Sequence, residues 1–190
     1  MPVLGTTCRR AAVLASAVLL GVTVANAEDV VRTPLPDGNP FPISAAVTVP
    51  AGYDTVYVSG ALPDVINKDA PKGSFESYGD MATQAEGALT KIKASLAKLG
   101  LGMGDVVKMT VFMVADPTKD PKLDFAGLMT GYTKFFGTAE QPNKPARSAV
   151  QVAALVAPGA LVEIEVIAVR PHKAEAHPGK THPGKTHKGS

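Results

Sequence analysis

Apolar residues recur at three- and four-residue intervals along 80–99, at Met81, Ala85, Ala88, Leu89, Ile92, Leu96 and Leu99. That spacing gathers them into one stripe of a helix and predicts a helix lying on a sheet with its other side wet. Asp80 is placed to cap the first turn and Gly100 to end the last. A second helix is predicted over 125–136, where Leu128, Met129, Tyr132, Phe135 and Phe136 supply the apolar face and Gly127 and Gly131 weaken it. The other apolar stretches are short and rich in β-branched residues. Strands are predicted at 44–49 and 54–59, joined as a hairpin through Pro50-Ala51-Gly52. A strand at 105–114 has the near-continuous apolar run of one covered on both faces. Two more, at 145–155 and 162–169, flank Pro158-Gly159 and read as a second hairpin. Between the first hairpin and the first helix, 60–79 is a long loop with Pro63, Pro71, Gly73 and Gly79. Loops of this length are usually functional or mobile.

The resulting order, β-β-α-β-α-β-β, groups strands and sets helices between the groups. It predicts an α+β fold, a mixed sheet with two helices on one face. The other face would be apolar and open. Such a face is rarely left in water, so the pattern predicts oligomerisation through it.

Composition adds boundaries. With 190 residues and 45% hydrophobic content the chain is long enough for one domain with a substantial core. Arg9 and Arg10, an apolar run from Ala11 to Val24, and Ala25-Asn26-Ala27 form a secretory signal pattern. Residues 1–27 are therefore expected to be removed, leaving an exported protein, periplasmic or secreted, with no membrane attachment. The single cysteine, Cys8, lies in that segment, so the mature chain is expected to carry neither a thiol nor a disulfide. Residues 28–171 read as one domain, introduced by a Pro-rich leader over 28–42.

Residues 172–190 repeat a His-Pro-Gly-Lys-Thr unit and place His172, His177, His182 and His187 five apart. They read as a disordered, basic tail, with metal binding through the imidazoles as the sharper alternative. The signal segment takes two arginines and no acid, and the tail four lysines and one glutamate. The domain between them holds 13 basic against 16 acidic residues. A slightly acidic body argues against a nucleic-acid surface.

Charges inside the last two strands mark the candidate chemistry. Arg147 stands at the start of the first, and Glu163 and Glu165 share one face of the second. Taken alone, they suit either a structural ion pair on an exposed sheet or a site for a small anion.

Six stretches taken together narrow the choice. They are VYVSGALP at 56–63, TQAEGALTKIKASLAKLGL at 83–101, DVVKMTVFM at 105–113, YTKFF at 132–136, PARSAVQVAAL at 145–155 and VEIEVIAV at 162–169. In order and spacing they resemble the reactive-intermediate deaminase family, Rid or YjgF, over residues 40–170. The resemblance implies a chorismate-mutase-like fold and a homotrimer with its sheets packed inward and ligand clefts between subunits. It also implies hydrolysis of 2-imino acids or their enamines to 2-keto acids and ammonia, without cofactor or metal.

By the same resemblance Arg147 grips the substrate carboxylate, Glu163 positions the hydrolytic water and Ser59 lines the cleft, while the backbone around Ala149 contacts the bound acid. Three positions depart from the family pattern: Ile43 replaces a tyrosine, Met129 an asparagine and Ala149 a cysteine, and one residue is added in the 156–158 turn. Each substitution makes the pocket less polar. Two functions follow from the sequence, an exported imine/enamine deaminase or an exported, non-catalytic trimer that binds small carboxylates or protects against stress. RNA cleavage, a third activity in the family, is disfavoured by the acidic body.

Overall fold

The computed structural model describes residues 29–119 and 122–172. The expected signal peptide and the tail beyond His172 lie outside the described residues. Eight elements carry the fold: β1 (Val31–Thr33), β2 (Ala46–Thr48), β3 (Tyr53–Ala61), α1 (Met81–Lys98), β4 (Val106–Met113), α2 (Phe125–Tyr132), β5 (Ala146–Gln151) and β6 (Val162–Pro171).

The main sheet has the order β3-β6-β4-β5. β6 runs antiparallel to both of its neighbours, whereas β4 and β5 are parallel. A parallel pair needs a long crossover, which α2 and its flanking loops provide. Likewise β3, α1 and β4 form a split βαβ unit, with β6 inserted between the two strands. Both helices pack on one face, as the pattern predicts. Met81, Ala85, Ala88, Leu89, Ile92 and Leu96 of α1 meet Met109, Val111 and Met113 of β4 and Val162, Ile164 and Val166 of β6 in one core.

Local chemistry explains the helices. The Thr83 amide donates to Asp80 Oδ1 (2.9 Å) at the start of α1, and Gly100 takes a left-handed φ of 72° just past its end. Leu99, predicted as part of the stripe, is instead the C-cap and 48% exposed. Gln84, a polar residue within the stripe, is fully buried. Its Nε2 donates to Gly79 O (2.8 Å), and its Oε1 accepts from the Leu161 amide (2.7 Å). One side chain thereby ties the end of the 60–79 loop to the start of β6. α2 is shorter than predicted, and its glycines are sites of close approach rather than weak points. A Cβ on Gly131 would come within 2.8 Å of Ala82 O and 2.9 Å of Ala85 Cβ, so glycine lets the two helices touch.

Neither predicted hairpin forms. The turn at Pro158-Gly159 is real, with Gly159 at φ 83° and the Ala160 amide donating to Ala157 O (3.2 Å). Yet β5 ends at Gln151, and the chain then crosses to the middle of the sheet before β6 begins. At the N-terminal side β2 pairs with β1, inside the supposed leader, and β3 pairs with β6. The 60–79 loop packs over the Pro158-Gly159 turn, where a Cβ on Gly159 would meet Ser74 O at 2.5 Å.

The open sheet face is mixed rather than apolar. Strand alternation places Tyr57, Phe112, Val150 and Ile167 on it, together with Lys108, Thr110, Ser148, Glu163 and Glu165. Lys108 Nζ reaches Ser148 Oγ at 2.9 Å across β4 and β5. Polar residues in these positions make the face better suited to a site or a hydrated interface than to a dry core.

Candidate functional site

Arg147 lies on edge strand β5, in register with the core residue Met109 of β4, and therefore turns toward α2. Its guanidinium carbon sits 4.4 Å from the ring centre of Tyr132, 5.4 Å from that of Phe41 and 5.7 Å from that of Phe125. Phe41 and Phe125 stack on each other at 6.1 Å, and Met129 Sδ accepts from Nη1 at 3.4 Å. Cation–π contacts of this kind contribute about 0.5–2 kcal/mol each. They hold the charge without neutralising it.

No Asp or Glu pairs with Arg147 among the described residues. Its half-buried position lowers its pKa through desolvation, opposed by Tyr132. Burial also raises the Tyr132 phenol well above its ordinary range, so this ring stays neutral beneath the cation. A desolvated guanidinium with only aromatic and thioether neighbours is an incomplete arrangement, and a carboxylate would complete it.

The box around Arg147 is assembled by a strap from the N-terminal segment. Tyr132 OH donates to Pro42 O (2.7 Å), the Ser44 amide donates to Pro145 O (3.0 Å), and Ser44 Oγ donates to Lys144 O (2.7 Å). These bonds lay 41–44 against α2 and the entry to β5, which brings Phe41 onto Arg147.

Met129 therefore touches Arg147, and Ala149, two residues along β5, shares its face of the strand and packs on the core. Ile43 also packs on the core, two residues after the Phe41 wall. Glu163 is elsewhere. It pairs with Phe112 across β6 and β4 on the open sheet face, opposite the helices. There it borders a cavity of about 240 Å³ lined by Phe112, Val152, Ala154, Leu155 and Val156. Gly60 makes room for it, since a Cβ there would lie 2.0 Å from Glu163 Oε1. Ser59 is exposed on β3 beside Gly60, at the sheet edge opposite Arg147. Arg147, with Met129 and Ala149, and Glu163 thus lie on opposite faces of the sheet within one chain.

Sequence reading passed over Phe41, Phe125 and Gly60. Phe41 sat in a stretch without periodicity, and Phe125 at a helix start. Gly60 had the strongest usable signal, a glycine interrupting a β-branched strand, which often marks a bulge or a close approach. The β3–β6 register does shift between Val58 and Ala61. Among the described residues no group of three or more His, Cys, Asp or Glu is placed to hold a metal ion.

Residues 40–170 match the family model described as Endoribonuclease L-PSP. The chain belongs to this family, the Rid or YjgF proteins. A RutC family protein of Haemophilus influenzae is 45% identical over 115 residues, covering 60% of this chain and 78% of that one. The 2-iminobutanoate/2-iminopropanoate deaminase of Escherichia coli is 44% identical over 115 residues, covering 60% of this chain and 79% of the relative. Among solved structures, a conserved Rid-family protein of unknown function from Yersinia pestis superposes with a TM-score of 0.51 at 25% identity. That match covers 68% of this Rid chain and 87% of the Yersinia one. The mixed sheet with two helices on one face is the fold expected of the family.

Proposed function

We propose that this Rid protein hydrolyses 2-imino acids, or their enamine tautomers, to 2-keto acids and ammonia. The observation that carries the reading is Arg147, a half-buried guanidinium boxed by three aromatic rings and lacking an acidic partner among the described residues. The name of the Escherichia coli relative supports the same substrate class.

Arg147 takes the substrate carboxylate on its planar fork, which a lysine could not match. The imine carbon is already electrophilic. A water held by Glu163 forms a bond to that carbon and gives one proton to the carboxylate, while the C=N electron pair moves to nitrogen, which takes that proton up. In the resulting carbinolamine the hydroxyl proton passes to the amine nitrogen, the C–N bond breaks, ammonia leaves and the keto group forms. Water in and ammonia out balance the step with no cofactor. Positioning and proton transfer are the contributions required of the protein.

Arg147 and Glu163 lie on opposite faces of one chain, so they act together only if they come from different copies. A homotrimer with its open sheet faces turned inward supplies that arrangement, with each cleft lined by Arg147, Met129 and Ala149 of one chain and Glu163 and Ser59 of the next. Ile43, Met129 and Ala149 make the arginine half apolar, which favours substrates with apolar side chains. Residues 1–27 direct the protein out of the cytoplasm and are removed after Ala27; N-terminal sequencing of the exported protein tests this.

A second reading is a carboxylate-binding trimer without turnover. The placement of Arg147 and Glu163 on opposite faces of one chain supports it, because the arginine alone could bind a carboxylate without an acid beside it to hold water. One experiment separates the two: 2-imino acids are generated in situ from several amino acids, and keto-acid release is compared with spontaneous hydrolysis. Acceleration supports the deaminase. Keto-acid binding with no acceleration for any substrate would replace it with the binder.

A further inference from the structure

The box around Arg147 holds more aromatic surface than screening the cation requires. The chain has 6 Phe, 4 Tyr and no Trp, yet Phe41, Phe125, Tyr132 and Phe136 gather at this one place. Their situations differ. Tyr132 is fully buried, stacks on Phe136 at 5.0 Å and is tied to the strap through Pro42 O. It forms the floor beneath the guanidinium, 4.4 Å from Cζ. Phe41 and Phe125 are not part of the buried core. Phe125 is 38% exposed and Phe41 is half-buried. Their planes lie within 14° of each other, so two nearly parallel rings stand beside the cation with surface open to solvent.

Screening accounts for Tyr132, which has no surface left to offer. It gives no part to the open surface of Phe41 and Phe125. An acid that enters from solvent and pairs with Arg147 sits about 2.7–2.9 Å from its nitrogens. The two ring centres lie 5.4 and 5.7 Å from Cζ, so the group carried on the acid's α-carbon is the next to meet them. A methyl group offers such a surface little. A phenyl or phenol ring stacks on it, and ring pairs of this kind are each worth a factor of about 2–10 in affinity beyond simple burial. The imine of an aromatic amino acid also tautomerises to an enamine conjugated with its own ring, a flat molecule that suits a stacking wall. Phe41 lies outside every strand and helix and arrives on the strap. Its amide donates to Asn39 Oδ1 (2.9 Å), and its carbonyl accepts from the Ile43 amide (2.8 Å). These local bonds set the ring's approach, so it can be replaced without touching the main sheet.

We propose that Phe41, together with Phe125, determines side-chain specificity and selects 2-imino acids with aromatic side chains over those with small ones. The inference rests on the reading of Arg147 as the carboxylate grip. The test is calorimetric titration of the purified protein with phenylpyruvate and with pyruvate, read as the ratio of the two affinities. Any loss of the carboxylate grip affects both acids and cancels in that ratio. The wild type should favour phenylpyruvate by about tenfold or more. Phe41→Ala and Phe41→Leu should each cut the ratio by about three- to tenfold, whereas Phe41→Tyr, which restores a ring face, should keep it. The same ratio in keto-acid release from the imines of phenylalanine and alanine should fall in parallel. Melting curves on each variant separate lost binding from lost fold, and Phe41→Leu, which keeps an apolar side chain on the strap, serves if Phe41→Ala misfolds. A wild-type ratio near one, with binding of both acids lost in Arg147→Ala, would overturn the aromatic wall alone. So would a ratio unchanged by Phe41→Ala and Phe41→Leu, or one that rises, as expected of a ring that only fills space. Binding of neither acid, or binding indifferent to Arg147→Ala, would overturn the carboxylate grip and this inference with it. Binding needs no turnover, so the ratio is readable even from a protein that proves not to be a deaminase.

Discussion

Gly60→Ala disturbs the proposed water-positioning group without touching it. The new Cβ would stand 2.0 Å from Glu163 Oε1, 2.9 Å from Cδ and 3.0 Å from Cγ. Ordinary contact starts near 3.4 Å, so the carboxylate must withdraw by roughly 1 Å or more. Displacements of about 1 Å in a catalytic group cost roughly 10²-fold in rate, or about 3 kcal/mol of barrier. Stability should change far less. The clashing atoms are the free end of a side chain, Gly60 does not occupy the left-handed region, and alanine in a strand gains about 0.5–1 kcal/mol over glycine. Turnover of an imino acid, thermal denaturation and light scattering on the same preparation would separate the two effects. The expected result is a loss of turnover close to that of Glu163→Gln, with the melting curve and assembly nearly unchanged. Wild-type turnover from an intact Gly60→Ala protein would refute the role given to Glu163.

Three further outcomes follow from the geometry. Gly131→Ala forces backbone contacts of 2.8–3.0 Å at the α1–α2 crossing and should lower unfolding free energy by about 1–3 kcal/mol in urea titrations, even after its gain in helix propensity. Tyr132→Phe keeps the ring under Arg147 but leaves Pro42 O without its donor; it should cost about 1–3 kcal/mol of stability and loosen the strap that holds Phe41, seen as faster amide exchange at 43–44. Asp124 is held below the ordinary carboxyl range first by Lys119, with the Gly127 amide also contributing, and Asp80 first by the Thr83 amide. A depressed acid stabilises fully above its unfolded pKa, near 4, and that stability is lost as pH falls through the folded value. Asp124→Asn can still cap α2, so it should flatten the acid limb of the stability–pH curve more than it lowers neutral stability.

The helix stripe of α1 was legible in the sequence because its cause is local: a buried face shows up as spacing. Strand partners were not legible. β5 and β6 adjoin a genuine Pro-Gly turn, but their pairing is decided by β4 and β3, far away in the chain. The same limit hid the opposite orientations of Arg147 and Glu163. Nothing local tells that Arg147 turns to the helices while Glu163 turns away, because each face is fixed by register against another strand. Gly131 was misread for a related reason. Propensity counts its cost to α2 and cannot see the helix lying against it. Arg147 was found through the sequence around it, but its aromatic box needed Phe41, delivered by a strap that only tertiary hydrogen bonds create.

Subunit mixing tests most directly whether Arg147 and Glu163 act on one substrate from different chains. Arg147→Ala and Glu163→Gln chains, each of low activity alone, would be refolded together in equal amounts and assayed for keto-acid release. If each cleft draws Arg147 from one chain and Glu163 from its neighbour, random assembly restores both groups in about a quarter of the clefts of a cyclic assembly. Activity should then rise to about that fraction of wild type. Mixed protein no more active than its two components, in assemblies shown to have exchanged, would contradict a site shared between chains.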